Sequence, residues 1–223
     1  MIQRILEKAI QQRLGQGKAL ILFGARQVGK TTMLKNMLRE RDDVLWLNGD
    51  EQDVRSLFEN ASSTMLGAVI GKKKIVVIDE AQRIVNIGLC LKLIIDNIPD
   101  VQVVATGSSS FDLSNMINEP LTGRKIEYWM YPLSFGELVA YNGLLEEKRL
   151  LAHRLVYGSY PDVVNNVGDE KMVLSELADS YLYKDILMFD KIKKSDKLVK
   201  LLQALAFQMG SEVSYNELSQ TCG

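Results

Sequence analysis

The segment from Gly24 to Thr31 combines residue types and a spacing that suit it to binding a polyphosphate. Its sequence, GARQVGKT, places glycine at the first and sixth positions, followed by a lysine and a hydroxyl residue. Glycines let the main chain curl until successive N–H groups point at one anion. A helix that begins near Lys30 adds the positive end of its dipole. We therefore expect a phosphate-binding loop here.

The residues of this loop have separate expected roles. The ammonium group of Lys30 is expected to reach the β- and γ-phosphates of a nucleotide. The hydroxyl of Thr31 is expected to ligate Mg²⁺. Arg26, Gln27 and Val28 are expected to contribute mainly main-chain N–H groups. The expected nucleotide-binding residues are Gly24, Ala25, Arg26, Gln27, Val28, Gly29, Lys30, Thr31 and Thr32.

An acidic pair follows the apolar run Ile75-Val76-Val77-Ile78. We expect Asp79 to hold the Mg²⁺ shell from the tip of its own strand, and Glu80 to orient and activate the attacking water. Such a pair is typical of nucleotide hydrolases rather than of small-molecule kinases. The base-recognition pattern N-K-x-D of GTPases is absent from the sequence, which favours ATP over GTP.

Two further places carry candidate catalytic residues. Thr106 and Ser108 follow a buried strand, where either hydroxyl would reach the attacking water or the γ-phosphate; a serine-rich N-cap is the alternative interpretation. Arg124 precedes another strand. It would neutralise γ-phosphate charge in its own subunit, act on a neighbouring subunit as an arginine finger, or form a surface salt bridge.

The elements that must position these residues alternate between strands and helices. Short apolar runs predict strands, and amphipathic segments between them predict helices. This alternation predicts an α/β fold, a P-loop NTPase with a doubly wound parallel sheet covered on both faces. The predicted strands are 19–23, 44–47, 75–78, 101–105 and 126–130, and the predicted helices in this part include 31–40, 53–59, 81–97 and 134–142.

The strand signal fades after Pro132, and helical patterns follow. We expect a P-loop ATPase core over residues 1–144, a small helical lid over 145–194, and the start of a truncated helical or winged-helix-like domain over 195–223. Within these ranges, helices are predicted over 145–157, 172–189 and 196–209. Ser214 and Glu217 fit a capping box that begins another helix.

Composition excludes several classes of protein. The 27 Lys and Arg residues against 28 Asp and Glu residues give a net charge of -1, so no global basic field draws the chain to nucleic acid or to anionic membranes. Cys90 and Cys222 lack metal-type spacing and are expected to be free thiols in a reducing cytosol. No apolar run approaches the roughly 18 residues of a membrane span. A cytoplasmic protein without a membrane partner is expected.

These motifs, together with weaker ones downstream, resemble those of prokaryotic AAA-family ATPases that carry a C-terminal domain of unknown function. The resemblance implies a P-loop core, a helical lid, a winged-helix segment and a further domain, with Walker A and Walker B roles for Lys30, Thr31, Asp79 and Glu80. We expect this chain to stop near the winged helix. The segments that carry the resemblance are GARQVGKTT at 24–32, VVIDEAQ at 76–82, TGSSS at 106–110, LTGR at 121–124, PLSFGEL at 132–138, GSYPDVV at 158–164 and YLYKDIL at 181–187.

Three functions are compatible with this sequence. The first is an Mg-dependent ATPase whose hydrolysis drives a conformational change between core and lid. The second is a nucleotide-gated interaction switch with low turnover. The third is a DNA-associated ATPase. A homo-oligomer, and a protein or DNA partner bound through the C-terminal helical region, are compatible with each of them.

Overall fold

The computed structural model describes residues 2–59, 61–107, 113, 116–179 and 195–222. The chain divides into two compact units, residues 1–165 and residues 166–223. The helices between 144 and 165 group with the first unit. The three-part division expected at 144/145 and 194/195 stays a prediction.

Strands and helices alternate through most of the first unit, as the sequence predicts. Its strands are β1 (Ala19–Phe23), β2 (Val44–Asn48), β3 (Ile75–Asp79), β4 (Gln102–Gly107) and β5 (Lys125–Trp129). Its described helices are α1 (Ile5–Gln11), α2 (Lys30–Met37), α3 (Gln52–Phe58), α4 (Ser63–Ile70), α5 (Ile87–Asn97), α6 (Phe135–Asn142), α7 (Leu144–Arg149), α8 (Leu151–Tyr157) and α9 (Pro161–Asn165).

The five strands form one sheet in the order β2-β3-β4-β1-β5, and every pairing is parallel. The predicted doubly wound P-loop NTPase fold is confirmed. Because the strands are parallel, the carboxyl ends of β1, β3 and β4 lie at one edge of the sheet. Ligands of such sheets bind beyond this edge, next to the strand where the order reverses.

Side chains of each strand alternate between two apolar cores, one on each face of the sheet. In β1, Leu20 and Leu22 pack with residues of α1 and α2. Ala19, Ile21 and Phe23 pack on the other face with residues of α3, α4 and α5. Because both faces are covered, β1 is fully buried along its length, which explains its uninterrupted apolar sequence.

The segment predicted as one helix over residues 81–97 is divided. Ala81–Arg83 is a single 3₁₀ turn, and the α-helix begins only at Ile87. Glu80 and Asn86 adopt left-handed backbone conformations, with φ of 50° and 57°. A helix cannot pass through such residues, so the prediction of one continuous helix was wrong.

Two other helical segments differ from the prediction. The helix predicted over 145–157 is divided at Leu150 into α7 and α8. Helix α4 was not predicted; its N-terminus is capped by the side chain of Ser62, which accepts a hydrogen bond of 3.2 Å from Met65 N. This capping residue was the available sequence signal.

The second unit is helical where it is described. It contains α10 (Glu170–Leu177), α11 (Ser195–Phe207) and α12 (Tyr215–Cys222), and α11 packs against α12. Ser214 Oγ accepts a hydrogen bond from Glu217 N at 3.4 Å, which confirms the predicted helix start. The predicted helix 172–189 is confirmed up to Leu177, and residues 180–189 lie outside the described part.

Both cysteines are free thiols, as predicted. Burial raises the pKa of the Cys90 thiol, which keeps it protonated and unreactive. Of the helices that the structure describes, none combines the length and the apolar character needed to cross a bilayer.

We predict that Leu91→Ala lowers the free energy of unfolding by about 2 to 5 kcal/mol, because it removes a fully buried side chain from the core beneath α5. Chemical denaturation measures the change. Leu89→Ala in the same helix is the control, because Leu89 is 52% exposed. Equal destabilisation by the two substitutions would contradict the assigned core.

Candidate nucleotide-binding site

The predicted phosphate loop joins the end of β1 to the start of α2. Gln27 and Gly29 have left-handed backbone conformations, with φ of 59° and 96°, and these curl the main chain. A Cβ on Gly24 would lie 2.4 Å from the carbonyl oxygen of Met130. Glycine at position 24 is therefore required by close packing, and glycine at position 29 by its backbone conformation.

Lys30 is buried within this loop. Its Nζ donates hydrogen bonds to the carbonyl oxygens of Gly24, at 2.8 Å, and Ala25, at 2.9 Å. Burial lowers the pKa of Lys30; the carboxylates of Glu80 and Asp79 oppose that shift without cancelling it. The lysine is thus held across the loop by main-chain acceptors, with two carboxylates close enough to favour its charged form.

The carboxylate of Asp79 links the ends of β3 and β4 to the first turn of α2. Asp79 Oδ2, at the end of β3, accepts a hydrogen bond of 2.7 Å from Thr31 Oγ1, in the first turn of α2. Asp79 Oδ1 accepts a short hydrogen bond from Thr106 Oγ1 on β4. The predicted Mg²⁺ ligands Thr31 and Asp79 are therefore brought together, and Thr106 supports the carboxylate.

Glu80 lies next to this cluster in a strained backbone conformation. Its main-chain N–H donates to Thr106 Oγ1 at 3.3 Å, and its carboxylate accepts a hydrogen bond from Gln82 Nε2. A φ of 50° is uncommon for glutamate and is typical of functional sites. In this arrangement the side chain of Gln82 holds the carboxylate that sequence analysis assigns to water activation.

The donor set fits a magnesium ion. Thr31 and Asp79 offer a hydroxyl and a carboxylate in mutual contact, and Mg²⁺ prefers such hard oxygen ligands, with phosphates and water completing its shell. Among the described residues no group of three or more His, Cys, Asp and Glu side chains is arranged to hold a metal. A magnesium ion held by Thr31 and Asp79 would therefore need phosphate oxygens and water as its further ligands.

The buried Arg4, which immediately precedes α1, contacts the same loop. Arg4 Nη1 donates to Val28 O at 2.7 Å, and Nη2 donates to Tyr131 O. Arg4 Nε forms an ion pair of 3.0 Å with Glu137 Oε1. No local sequence signal distinguishes Arg4 from its solvent-exposed neighbours, because its partners are distant in sequence.

Glu137 is itself fixed by hydrogen bonds from the N-cap residue of α6 and from the first residue of α1. Its Oε2 accepts from Ser134 N at 2.8 Å, and its Oε1 accepts from Ile5 N at 2.9 Å. Burial by itself would raise the pKa of Glu137, but these N–H donors and Arg4 together outweigh burial and lower it. Folding therefore favours the ionised form of the Glu137 carboxylate.

The remaining candidate residues lie apart from the cluster or outside the described residues. Ala19 N donates to Arg124 O at 2.8 Å, so Arg124 sits beside the start of β1, about 13 Å along the strand from the loop. Its side-chain Nε forms an ion pair with Asp96 Oδ1 at 2.7 Å. Ser108 lies outside the described residues. Thr32 is exposed in the first turn of α2.

A comparison with family models decides the assignment. Residues 16–139 match the model of the AAA domain family. The chain belongs to this AAA family. Residues 148–223 match a second model, a domain of unknown function. Together these matches confirm the resemblance inferred from the motifs, including its C-terminal part.

Relatives of this AAA protein include an uncharacterised protein of Methanocaldococcus jannaschii, 22% identical over 97% of this chain and 52% of the relative. The chain spans about half the length of the curated relatives it matches. A Walker-type ATPase of Pyrococcus abyssi is similar in fold, with 16% identity and a TM-score of 0.61 over 99% of this chain and 88% of that one.

A structure of the replication initiator DnaA bound to AMPPCP and single-stranded DNA is also similar in fold. It has a TM-score of 0.50 and 14% identity, over 97% of this chain and 74% of that chain. At such identities the likeness extends to the fold alone. The functional assignment therefore depends on the residues of the site.

We predict that Gly24→Ala lowers the free energy of unfolding by about 1 to 3 kcal/mol, because the added Cβ would collide with the carbonyl of Met130. Displacement of the loop should also weaken nucleotide binding. Gly67→Ala, in α4, is the control, because its Cβ would lie 3.8 Å from the side chain of Ile98, an ordinary van der Waals distance. Denaturation and calorimetry with magnesium nucleotide measure both effects, and an unaffected Gly24→Ala protein would contradict this packing.

The lowered pKa of Glu137 predicts a loss of stability in acid. A group whose pKa is lower in the folded state contributes stability above its unfolded pKa, near 4.5, and that stability is lost as the pH falls through the folded pKa. The free energy of unfolding of Glu137→Gln should therefore decline less steeply below pH 4.5 than that of the wild type. Denaturation at several pH values tests this, and identical slopes would count against it.

Proposed function

We propose that this protein binds ATP with Mg²⁺ and hydrolyses the bond between its β- and γ-phosphates. The free energy of this hydrolysis would drive a conformational change. The observation that supports this most directly is the convergence of Lys30, Thr31, Asp79 and Glu80 at one edge of the sheet. These four side chains provide a cation, a magnesium ligand pair and a carboxylate for water activation. Membership of the AAA family agrees with the same chemistry.

In this proposal Lys30 exchanges its carbonyl partners, Gly24 and Ala25, for phosphate oxygens. Thr31 and Asp79 would hold the magnesium ion, which neutralises charge on the phosphates when bound. Glu80 would leave its contact with Gln82 and orient a water molecule toward the γ-phosphate. The main-chain N–H groups of the curled loop would surround the remaining phosphate oxygens.

We further propose that Arg124 acts on a neighbouring subunit. Arg124 immediately precedes β5 and lies at the opposite end of the parallel strands from the loop, which is distant from the expected phosphates of its own chain. An arginine on the outer surface is suited to approach a nucleotide bound by an adjacent copy. This extends the proposal to a homo-oligomer.

A low-turnover nucleotide switch is the second candidate function. The observation that favours it is the hydrogen bond that Gln82 Nε2 donates to Glu80 Oε2, because this bond holds the carboxylate in one orientation and occupies one of its acceptor positions. A DNA-associated ATPase gains only the likeness in fold to DnaA. The net charge of -1 does not favour it.

The free thiols of Cys90 and Cys222 agree with a cytoplasmic location.

Two substitutions test this proposal. Lys30→Ala should reduce affinity for Mg-ATP by about a hundredfold or more, because the polyphosphate loses its buried cation. Glu80→Gln should retain ATP but lose turnover by about 10²-fold or more. Calorimetry measures binding, phosphate release measures turnover, and light scattering during turnover gives the mass.

Lys35→Ala and Glu59→Gln are the matched controls, since both side chains are exposed. Absence of nucleotide binding by the folded wild type would remove the entire proposal. Binding by the wild type without turnover would select the switch. Stimulation of turnover by DNA, lost at higher salt, would select the DNA-associated ATPase. Normal turnover by Glu80→Gln would remove Glu80 from the mechanism.

A further inference from the structure

Arg4 is a buried cation that donates a hydrogen bond to the main chain of the phosphate loop. Its side chain is 8% exposed, and each of its three kinds of guanidinium nitrogen has its own acceptor. These acceptors belong to three different segments: Val28 of the loop, Tyr131 after β5, and Glu137 of α6. A planar guanidinium can hold three acceptors in a fixed arrangement, and an ammonium group cannot reproduce that geometry.

The hydrogen bond to Val28 O has a consequence for the opposite side of the loop. The peptide bond between Val28 and Gly29 is planar and trans, so its C=O and N–H point in opposite directions. An arginine that fixes the carbonyl on the outer side therefore aims the Gly29 N–H toward the inner side. Without that bond this peptide plane is free to rotate, because Gly29 has φ of 96° and glycine tolerates many conformations.

The segment after β5 supports both ends of the loop. The carbonyl of Met130 lies against Gly24 at the beginning of the loop. The carbonyl of Tyr131 accepts from the same guanidinium that holds Val28 near its end. Glu137, fixed in the capping box of α6 with Ser134, then holds the guanidinium in place. The loop is consequently clamped from outside by residues remote from it in sequence.

We infer that Arg4 is a positioning residue for nucleotide binding, which fixes the peptide between Val28 and Gly29 so that its N–H faces the phosphates. This inference depends on the proposed function, because it assumes that the loop binds a polyphosphate. Arg4 itself has no role in the chemical step. Loss of the Arg4 hydrogen bonds should therefore weaken the binding of ATP and of ADP by the same factor. The reason is that the loop N–H groups surround phosphates that both nucleotides possess.

Arg4→Gln and Arg4→Lys test the inference. Both should raise the dissociation constants of Mg-ATP and Mg-ADP about tenfold, as expected for the loss of a hydrogen bond to a charged group. In hydrolysis assays KM should rise while kcat changes by less. If Arg4→Gln does not fold, Arg4→Lys decides the question, because it keeps a positive charge beside Glu137.

Arg154→Gln is the matched control. Arg154 is also a largely buried arginine in an ion pair, 3.2 Å from Glu147, and its side chain is 10% exposed. Its described hydrogen bonds are to Glu147 rather than to the phosphate loop. The control should lower the melting temperature while leaving both dissociation constants unchanged, which separates a general loss of stability from a specific loss of affinity.

The outcomes distinguish this inference from the proposed function. If the wild type binds no nucleotide, the proposed function itself fails. If the wild type binds and the Arg4 variants bind equally well, the inference is wrong. It is also wrong if Arg154→Gln loses as much affinity as the Arg4 variants, or if only ATP and not ADP is weakened.

Discussion

The carboxylate of Asp79 connects the parts of this site that are distant in sequence. It accepts hydrogen bonds from the hydroxyl groups of Thr31, which follows β1, and of Thr106, on β4. The sheet order places β4 between β1 and β3, so a single acceptor at the end of β3 can reach both. The order of the parallel strands therefore determines which hydroxyl groups meet the acidic residue, and thereby where a hydrated cation would be held.

The surroundings of the loop show why a rigid scaffold is needed. A polyphosphate site requires many donors that face one way, and every trans peptide that turns an N–H inward turns a carbonyl outward. Those outward carbonyls need partners when they are buried. Here Val28 has such a partner in Arg4. In the inferred arrangement, the outer support of the loop would contribute to phosphate binding together with its inner surface.

The sequence predicted the features that depend on local pattern. The GARQVGKT spacing predicted the loop, and uninterrupted apolar runs such as Ala19–Phe23 predicted buried strands. The helix over 81–97 was predicted incorrectly because Asn86 has a left-handed conformation, which the apolar spacing of this segment does not reveal. Arg4 was not identified because its partner Glu137 is 133 positions away, and only the folded chain brings them together.

The carbonyl partners of Lys30 have a consequence for the departure of products. A buried ammonium group deprived of all acceptors would be costly, and a protein that met this cost on every cycle would retain its nucleotide. Here the carbonyl oxygens of Gly24 and Ala25 accept hydrogen bonds from this ammonium group. In the proposed function, Lys30 would alternate between these carbonyl acceptors and phosphate oxygens, which would lower the cost of releasing the product and so allow repeated turnover.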